Sequence, residues 1–198
     1  MNWQTERLIL ASASPARKAM LEAVGLVVEG YPADLDEEAV KRLGGAPEAL
    51  ATTLAEQKAL SIAQAYPGIL AIGGDQILVC EGELFDKPGS ADRVEAHLRQ
   101  LSGSEHHLIS GGALVRDDQI LWSGTSTARL WMRKLSDKFI RQYAEHFGET
   151  VKASVGAYHF EAVGAQLFDR VEGDSYTILG FPLLGLLGAL RKNGVLIS

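Results

Sequence analysis

The chain has 198 residues, 46% hydrophobic and 22% charged, enough apolar material for a single domain with a true core. Its formal net charge of −6 disfavours a general binder of polymeric nucleic acid, which would be basic. A small polyanion can still be held where a few cations converge.

One cysteine, Cys80, excludes an intramolecular disulfide and a multi-cysteine zinc site. It lies in the apolar run Ile77-Leu78-Val79-Cys80 and reads as a small core residue, with a nucleophile as the alternative. The five histidines form no HExxH pattern. The apolar stretch Leu8 to Leu10 is shorter than the ~7–15 residues of a signal-peptide core. The later run Ile178 to Leu190 contains Pro182 and falls below the ~20 residues of a membrane span. A cytoplasmic protein with no membrane partner is expected.

Leu8-Ile9-Leu10 reads as a buried strand that turns through Ala11-Ser12-Ala13-Ser14 into a helix closing at Gly25. Ser14 suits the N-cap, Pro15 the first helical position and Gly25 the C-terminal stop. Such a junction aims free backbone N–H groups and a positive dipole end at one spot, which favours anions. Arg17, in the first turn, opposes that dipole unless it shares an anionic ligand; the bland alternative is a surface arginine. Val27-Val28-Glu29 is a short strand. Ala33 to Glu38 is an acidic loop, either solvated charge or a source of hard oxygen ligands that includes Glu37.

Pro47 opens a long helix, Glu48 to about Ala65, stopped by Tyr66-Pro67-Gly68. Leu50, Leu54 and Ile62 share a face with Lys58. A cation there must pair, reach a cleft or snorkel. Two buried strand-like runs, within Ile69 to Cys80, flank a Gly73-Gly74-Asp75-Gln76 junction where a bulge or close backbone approach is expected. Asp75 needs a metal, a lysine or a water-filled cleft beside it; it could bind a cation or act as general base, or be a turn residue bonding its own backbone. Glu81-Gly82-Glu83 is a turn. Lys87 precedes Pro88 and is held extended.

Ser90 caps a helix carrying Val94, Leu98 and Leu101 and ending at Gly103. His106 to Val115 and Ile120 to Trp131 are strands around an Asp117-Asp118 turn. Ser136-Asp137 caps a helix with Phe139, Ile140 and Tyr143 facing the core. Val155 to Gly164 is irregular, Gln166 to Val171 strand-like and Gly173 to Tyr176 a loop. Leu179 to Leu183 leads into an apolar helix to about Leu190, and Val195 to Ile197 is a final strand. Mixed strands and helices predict an α/β architecture around one sheet. Ser14, Arg17, Lys58 and Lys87 as donors, with Glu37 and Asp75 as carboxylates, suit a metal-bound polyphosphate.

These stretches resemble the Maf (septum-formation-inhibitor-like) family of nucleotide pyrophosphatases, nearly end to end. Leu10 to Arg17 with Met20-Leu21 is similar to its LASxSPxR signature, and Leu35-Asp36-Glu37 to its acidic loop. Leu54 to Ala59 is similar to its LAxxKA helix, Gly74-Asp75-Gln76 to its GxDQ element and Gly82 to Pro88 to its GExxxKP element. Leu101-Ser102-Gly103 with His106 and Gly111 resembles its LSGxxHxxxTG block; Gly156-Ala157-Tyr158 and Gly180 to Leu183 resemble its late blocks.

The resemblance implies a single domain over 1–198. Its fold would be a two-lobed mixed sheet flanked by helices, with a central cleft, similar to inosine-triphosphate pyrophosphatases. The activity implied is hydrolysis of a nucleoside triphosphate to monophosphate and pyrophosphate with a divalent cation, Mg²⁺, Mn²⁺ or Co²⁺. Ser14, Arg17, Lys58 and Lys87 would hold phosphates; Glu37 and Asp75 would serve metal and water, with Asp75 the base. A homodimer is expected only through the resemblance. The family name carries an alternative, a nucleotide-binding regulator of septum formation with little turnover. Gln57 stands where the family often has Glu, and Ala16 where it often has Arg. Three positions divide the family by base: Arg, Thr and Gln for dTTP and UTP, and Trp, Gln and Glu for 7-methyl-GTP. This chain has Ala16, Gln76 and Glu161, nearer the second set. Trp3, Trp122 and Trp131 are the aromatic residues that could stand in for a stacking group missing at Ala16.

Overall fold

The computed structural model describes residues 3–42 and 44–197. Its elements alternate as the sequence pattern predicts. Strand β1 (Leu8–Ala11) leads into helix α1 (Pro15–Ala23) and then β2 (Val28–Gly30). Helices α2 (Glu37–Arg42) and α3 (Pro47–Ala65) follow, then strands β3 (Leu70–Cys80) and β4 (Glu83–Phe85) and helix α4 (Ala91–Leu101). Strands β5 (Glu105–Arg116) and β6 (Gln119–Met132) precede helix α5 (Asp137–Val151). The chain closes with β7 (Phe168–Glu172), α6 (Ser175–Ile178) and α7 (Leu183–Lys192). The seven strands form one mixed sheet in the order β2-β1-β3-β5-β6-β7, with β4 paired to β3. Strand β1 runs parallel to both β2 and β3, whereas β4 and β7 pair antiparallel. Among the described residues no helix is long and apolar enough to cross a membrane.

The chain divides into two compact units. The first comprises Met1–Gln76, Ile109–Ser126 and Ser175–Ser198; the second comprises Ile77–Leu108 and Thr127–Asp174. In the first, the two-residue period of the strands sorts side chains to two faces. Leu8, Leu10, Leu70 and Ile72 join Met20 and Leu21 of α1, Leu186 of α7 and the preceding Phe181 in one core layer. Ile9, Ala11 and Ala71 join Ala55, Ala59, Ile62 and Ala63 of α3 in the other. Small residues let α3 lie close: a Cβ at Gly73 would sit 1.9 Å from the Ala55 carbonyl oxygen, and one at Gly111 2.2 Å from that of Ala51. In the second unit α4 and α5 pack together, α4 burying Val94, Leu98 and Leu101 and α5 burying Ile140 and Tyr143, while Phe139 is only half-buried.

Several sequence expectations need correction. Residues 70–80 form one continuous strand rather than two runs around a junction. The glycines serve close approach to α3 on one face and to the Phe181 ring on the other. The acidic stretch is not all loop: Asp36 Oδ1 accepts from the Ala39 N–H, and Glu37 and Glu38 open α2, where negative charge favours a helix start. Residues 163–167 are a 3-10 turn, so the expected strand over Gln166 to Val171 begins at Phe168. Ser175 and Tyr176 belong to α6 and not to a loop. The expected last strand reduces to one bridge, Gln4 to Leu196. Ser90 holds the N-cap position of α4 without a side-chain capping bond.

Candidate active site

The site in the first unit is built where β1 ends. Strand β1 accompanies β3 only as far as the Ala11–Gly73 pair, so Gly74, Asp75 and Gln76 of β3 run on past it. Beyond Ala11 the chain turns into α1. Ser14 is the N-cap, its Oγ accepting from the Arg17 N–H at 3.4 Å. Accepting uses a lone pair and leaves the hydroxyl hydrogen free to donate outward. Ser12, which the sequence reading did not single out, accepts at its Oγ from both the Ser14 N–H and the Arg17 Nη1, each at 3.2 Å.

Arg17 is folded back over the turn. Its Nε donates to the Gly180 carbonyl at 2.8 Å. Nη2 carries no hydrogen bond among the described residues and is the donor left for an anion. Burial pulls the guanidinium below its ordinary pKa, opposed by the negative charge of Asp75 and then Glu37. It stays cationic, as arginine does in proteins.

On the α3 face of β3 the lysine on the apolar stripe has found partners. Lys58 Nζ lies 2.5 Å from Asp75 Oδ1 and 2.6 Å from Glu37 Oε1. Lys58 and Asp75 are buried, while the Glu37 side chain is 41% exposed. The ammonium lies between the two carboxylates, and the Arg17 guanidinium is a second cation within electrostatic reach of both. The open alternatives for these residues close here: Lys58 does not snorkel, and Asp75 does not bond its own turn. No hydrogen bond reaches Asp75 Oδ2 among the described residues, so that oxygen is available to a water or a cation.

Asp75 and Gln76 are successive on a strand and point to opposite faces. Gln76 Nε2 donates to the carbonyls of Thr177 and Ile178 at 3.0 and 3.1 Å and to Ser110 Oγ at 3.2 Å. Ser14, Arg17, Glu37, Lys58, Asp75 and Gln76 therefore gather within the first unit. Lys87 and Glu161 belong to the second unit, where both are exposed. Among the described residues Lys87 makes no ion pair. Gln57 is half-buried on α3. Cys80 is buried and its thiol is pushed up, first by burial, which fits a core residue better than a nucleophile.

Trp122 packs over Gly112 and Gly185. In the second unit Trp131 lies against the guanidiniums of Arg129 and Arg170, at 4.9 and 4.4 Å from its ring centre. Trp3 is exposed near the start of the chain.

A strand running into a capped helix, beside a buried lysine–carboxylate group formed by α2, α3 and β3, marks an α/β protein with donors and carboxylates gathered in one unit. The model of the family described as "Maf-like protein" matches residues 7–193, and the chain belongs to that family. A Rhizobium etli protein named 7-methyl-GTP pyrophosphatase is 43% identical over 97% of this chain and 98% of its own. A Granulibacter bethesdensis protein named nucleoside triphosphate pyrophosphatase is 46% identical over 96% and 98%. A Mesorhizobium japonicum protein named 7-methyl-GTP pyrophosphatase is 45% identical over 97% and 98%. Among solved structures, a HAM1 protein from Coxiella burnetii aligns with 65% of this chain and 73% of its own at 15% identity, with a TM-score of 0.43. That likeness is too slight to carry an argument.

Proposed function

We propose that this chain hydrolyses a nucleoside triphosphate to its monophosphate and pyrophosphate. The observation that carries the reading is the Glu37–Lys58–Asp75 group in the same unit as the capped N-terminus of α1. Relatives bearing pyrophosphatase names at over 40% identity support it.

In this account the Ser14 hydroxyl, Arg17 Nη2 and the α1 amides hold phosphate oxygens. Asp75 Oδ2 takes a proton from a water aimed at the α-phosphorus. The water oxygen bonds to that phosphorus, the bond to the bridging oxygen breaks, and pyrophosphate leaves with the bond's electron pair. Lys58 fixes the Asp75 carboxylate and offsets the charge that develops. Lys87 is assigned a phosphate as its partner.

Glu37 and Asp75 supply hard oxygen donors that fit Mg²⁺, Mn²⁺ or Co²⁺, with phosphate oxygens and water completing the shell. No group of three or more His, Cys, Asp or Glu side chains suited to a metal occurs among the described residues, so protein ligands alone would be few. When bound, the cation would supply charge neutralisation at the phosphates.

For the base we propose a guanine nucleotide such as 7-methyl-GTP. Glu161 would accept from the guanine N1–H and 2-amino group, which thymine and uracil cannot match. Pyrophosphate release from 7-methyl-GTP, GTP, UTP and dTTP, each with Mg²⁺, Mn²⁺ or Co²⁺, tests the reading. Release from a guanine nucleotide is expected. Tight binding with no release from any of them overturns it.

A further inference from the structure

We infer that Gly180 is a positioning residue for Arg17: the turn that closes α6 sets the Gly180 carbonyl on the Nε edge of the guanidinium, so that a phosphate is met end-on, through Nη2. This deepens the pyrophosphatase reading and rests on it for the identity of the anion.

The turn follows from local backbone chemistry. Past α6 the Phe181 N–H donates to the Tyr176 carbonyl at 3.0 Å and the Gly180 N–H to the Thr177 carbonyl at 3.1 Å. This pair of bonds is a Schellman motif, which needs a left-handed residue where the helix ends. Gly180 supplies it, with φ +104°. The turn is braced from both sides. The Thr177 carbonyl also accepts from Ser110 Oγ at 2.8 Å and from Gln76 Nε2 at 3.0 Å. The Phe181 ring is fully buried against Gly74 of β3, where a Cβ would stand 2.8 Å from ring carbons Cδ2 and Cε2. The same Cβ would stand 3.2 Å from Arg17 Cδ, so the arginine stem and the ring lie side by side on one glycine. The Gly180 carbonyl thus has a fixed place beside a fixed stem.

A guanidinium is planar and rigid, so bonds from two of its nitrogens set the directions of all five hydrogens. Arg17 Nη1 is bonded to Ser12 Oγ at 3.2 Å and Nε to the Gly180 carbonyl at 2.8 Å. Nε and Nη2 form one edge of the fork, and that edge faces Gly180: a Cβ there would lie 3.6 Å from Nε and 3.4 Å from Nη2. With its Nε–H taken, the edge cannot grip an anion side-on through two bonds. The outer Nη2 hydrogen remains, aimed by the other two contacts. Without the Gly180 carbonyl only the Ser12 bond is left, and the plane can turn about it. Ordering that plane would then fall to the ligand and weaken binding.

Gly180→Ala perturbs this through the backbone. Its methyl would meet nothing nearer than 3.4 Å, so the strain comes from the positive φ, and relieving it swings the carbonyl off Nε. Gly180→Asn is the milder change, since asparagine also occurs at this position of the motif.

Two measurements that need no turnover test the assignment. In ¹⁵N NMR of the ligand-free protein, with the Arg17 Nε–H assigned by its loss in Arg17→Lys, hydrogen exchange should be slowed about tenfold or more against free arginine. Protection should fall from wild type through Gly180→Asn to Gly180→Ala. Free-arginine exchange in the wild type, or protection unchanged in Gly180→Ala, overturns the assignment. By calorimetry with Mg²⁺, the Kd for α,β-methylene-GTP should rise about tenfold in Gly180→Ala. In an Arg17→Lys background the same substitution should change Kd by no more than about twofold, because its effect passes through the guanidinium. An equal loss in both backgrounds is the mark of merely structural damage and overturns the positioning role. Binding that follows this pattern without pyrophosphate release from GTP would fail the pyrophosphatase reading and uphold the positioning role. No binding by the wild type would overturn both.

Discussion

Replacing Gly73 with alanine tests how the site is held. The added methyl would stand 1.9 Å from the Ala55 carbonyl oxygen, 2.9 Å from its carbon and 3.0 Å from Ala59 Cβ. These are helix atoms, so no flexible side-chain tip can swing aside. Ordinary contact is near 3.5 Å, and α3 must retreat locally by about 1.5 Å. Overpacking of that kind costs typically 1–3 kcal/mol. Lys58 lies between Ala55 and Ala59 in position and within a turn of both, so the retreat also draws its ammonium away from Asp75. The lysine stem takes up part of the shift. A misplacement of about 1 Å in a catalytic group still lowers activity by about 10²-fold. Urea unfolding and kcat/KM for pyrophosphate release should both be measured, the second well below the unfolding midpoint. Gly111→Ala is the matched comparison: its methyl would meet Ala51 at 2.2 Å, two helical turns from Lys58, so stability should fall as much and activity less. Gly188→Ala meets nothing within 4 Å on α7 and should be neutral or stabilising by up to about 1 kcal/mol. Wild-type stability and activity in Gly73→Ala would refute the claim that close helix approach sets the lysine–carboxylate geometry.

Asp75→Asn should lower kcat by about 10²–10⁴-fold with the fold intact by circular dichroism; activity within a few-fold of wild type would remove Asp75 from the role of base. Lys58→Met removes the ammonium paired with the buried Asp75 carboxylate and should destabilise by about 3 kcal/mol at neutral pH, read by urea unfolding. His106 is fully buried, its Nε2 2.8 Å from the Tyr158 hydroxyl, and burial followed by the charge of His107 pushes its pKa down to about 4. The folded state therefore binds fewer protons than the unfolded one between about pH 6.5 and 4. Stability from this group is full above pH 6.5 and lost as pH falls, by about 3 kcal/mol in all. His106→Gln should lose that part of the pH dependence, and an unchanged profile would exclude His106 as its source. Glu161→Gln should weaken guanine triphosphates more than uracil triphosphates in kcat/KM; equal losses would reject Glu161 as a base reader.

Much of this arrangement was legible in the sequence where local chemistry decides. Helix α3 runs from Pro47 to Ala65 because proline suits its first position and Tyr66-Pro67-Gly68 cannot continue it. The Ser14-Pro15 start of α1 and the left-handed Gly25 beyond its end are local too. A cation on the apolar stripe and a carboxylate between apolar runs each called for a partner, and they are each other's. What depends on neighbours distant in sequence was not legible. Gly73 and Gly74 left a bulge and a close approach both open, and only the fold selects the second, with a helix and a phenylalanine ring pressing on an unbroken strand. Ser12 and Ser110 matter only through what the fold sets beside them, and a lone hydroxyl carries no spacing signal. Glu161 came from family resemblance alone, Lys87 from its place before Pro88 as well, and the roles of both rest on turnover and substrate comparison.

A single turnover in H₂¹⁸O tests the central claim most directly, since it reports which phosphorus the water attacks. The account predicts one ¹⁸O in the nucleoside monophosphate and none in the pyrophosphate released. Label in the pyrophosphate, or release of inorganic phosphate with a diphosphate product, would contradict it.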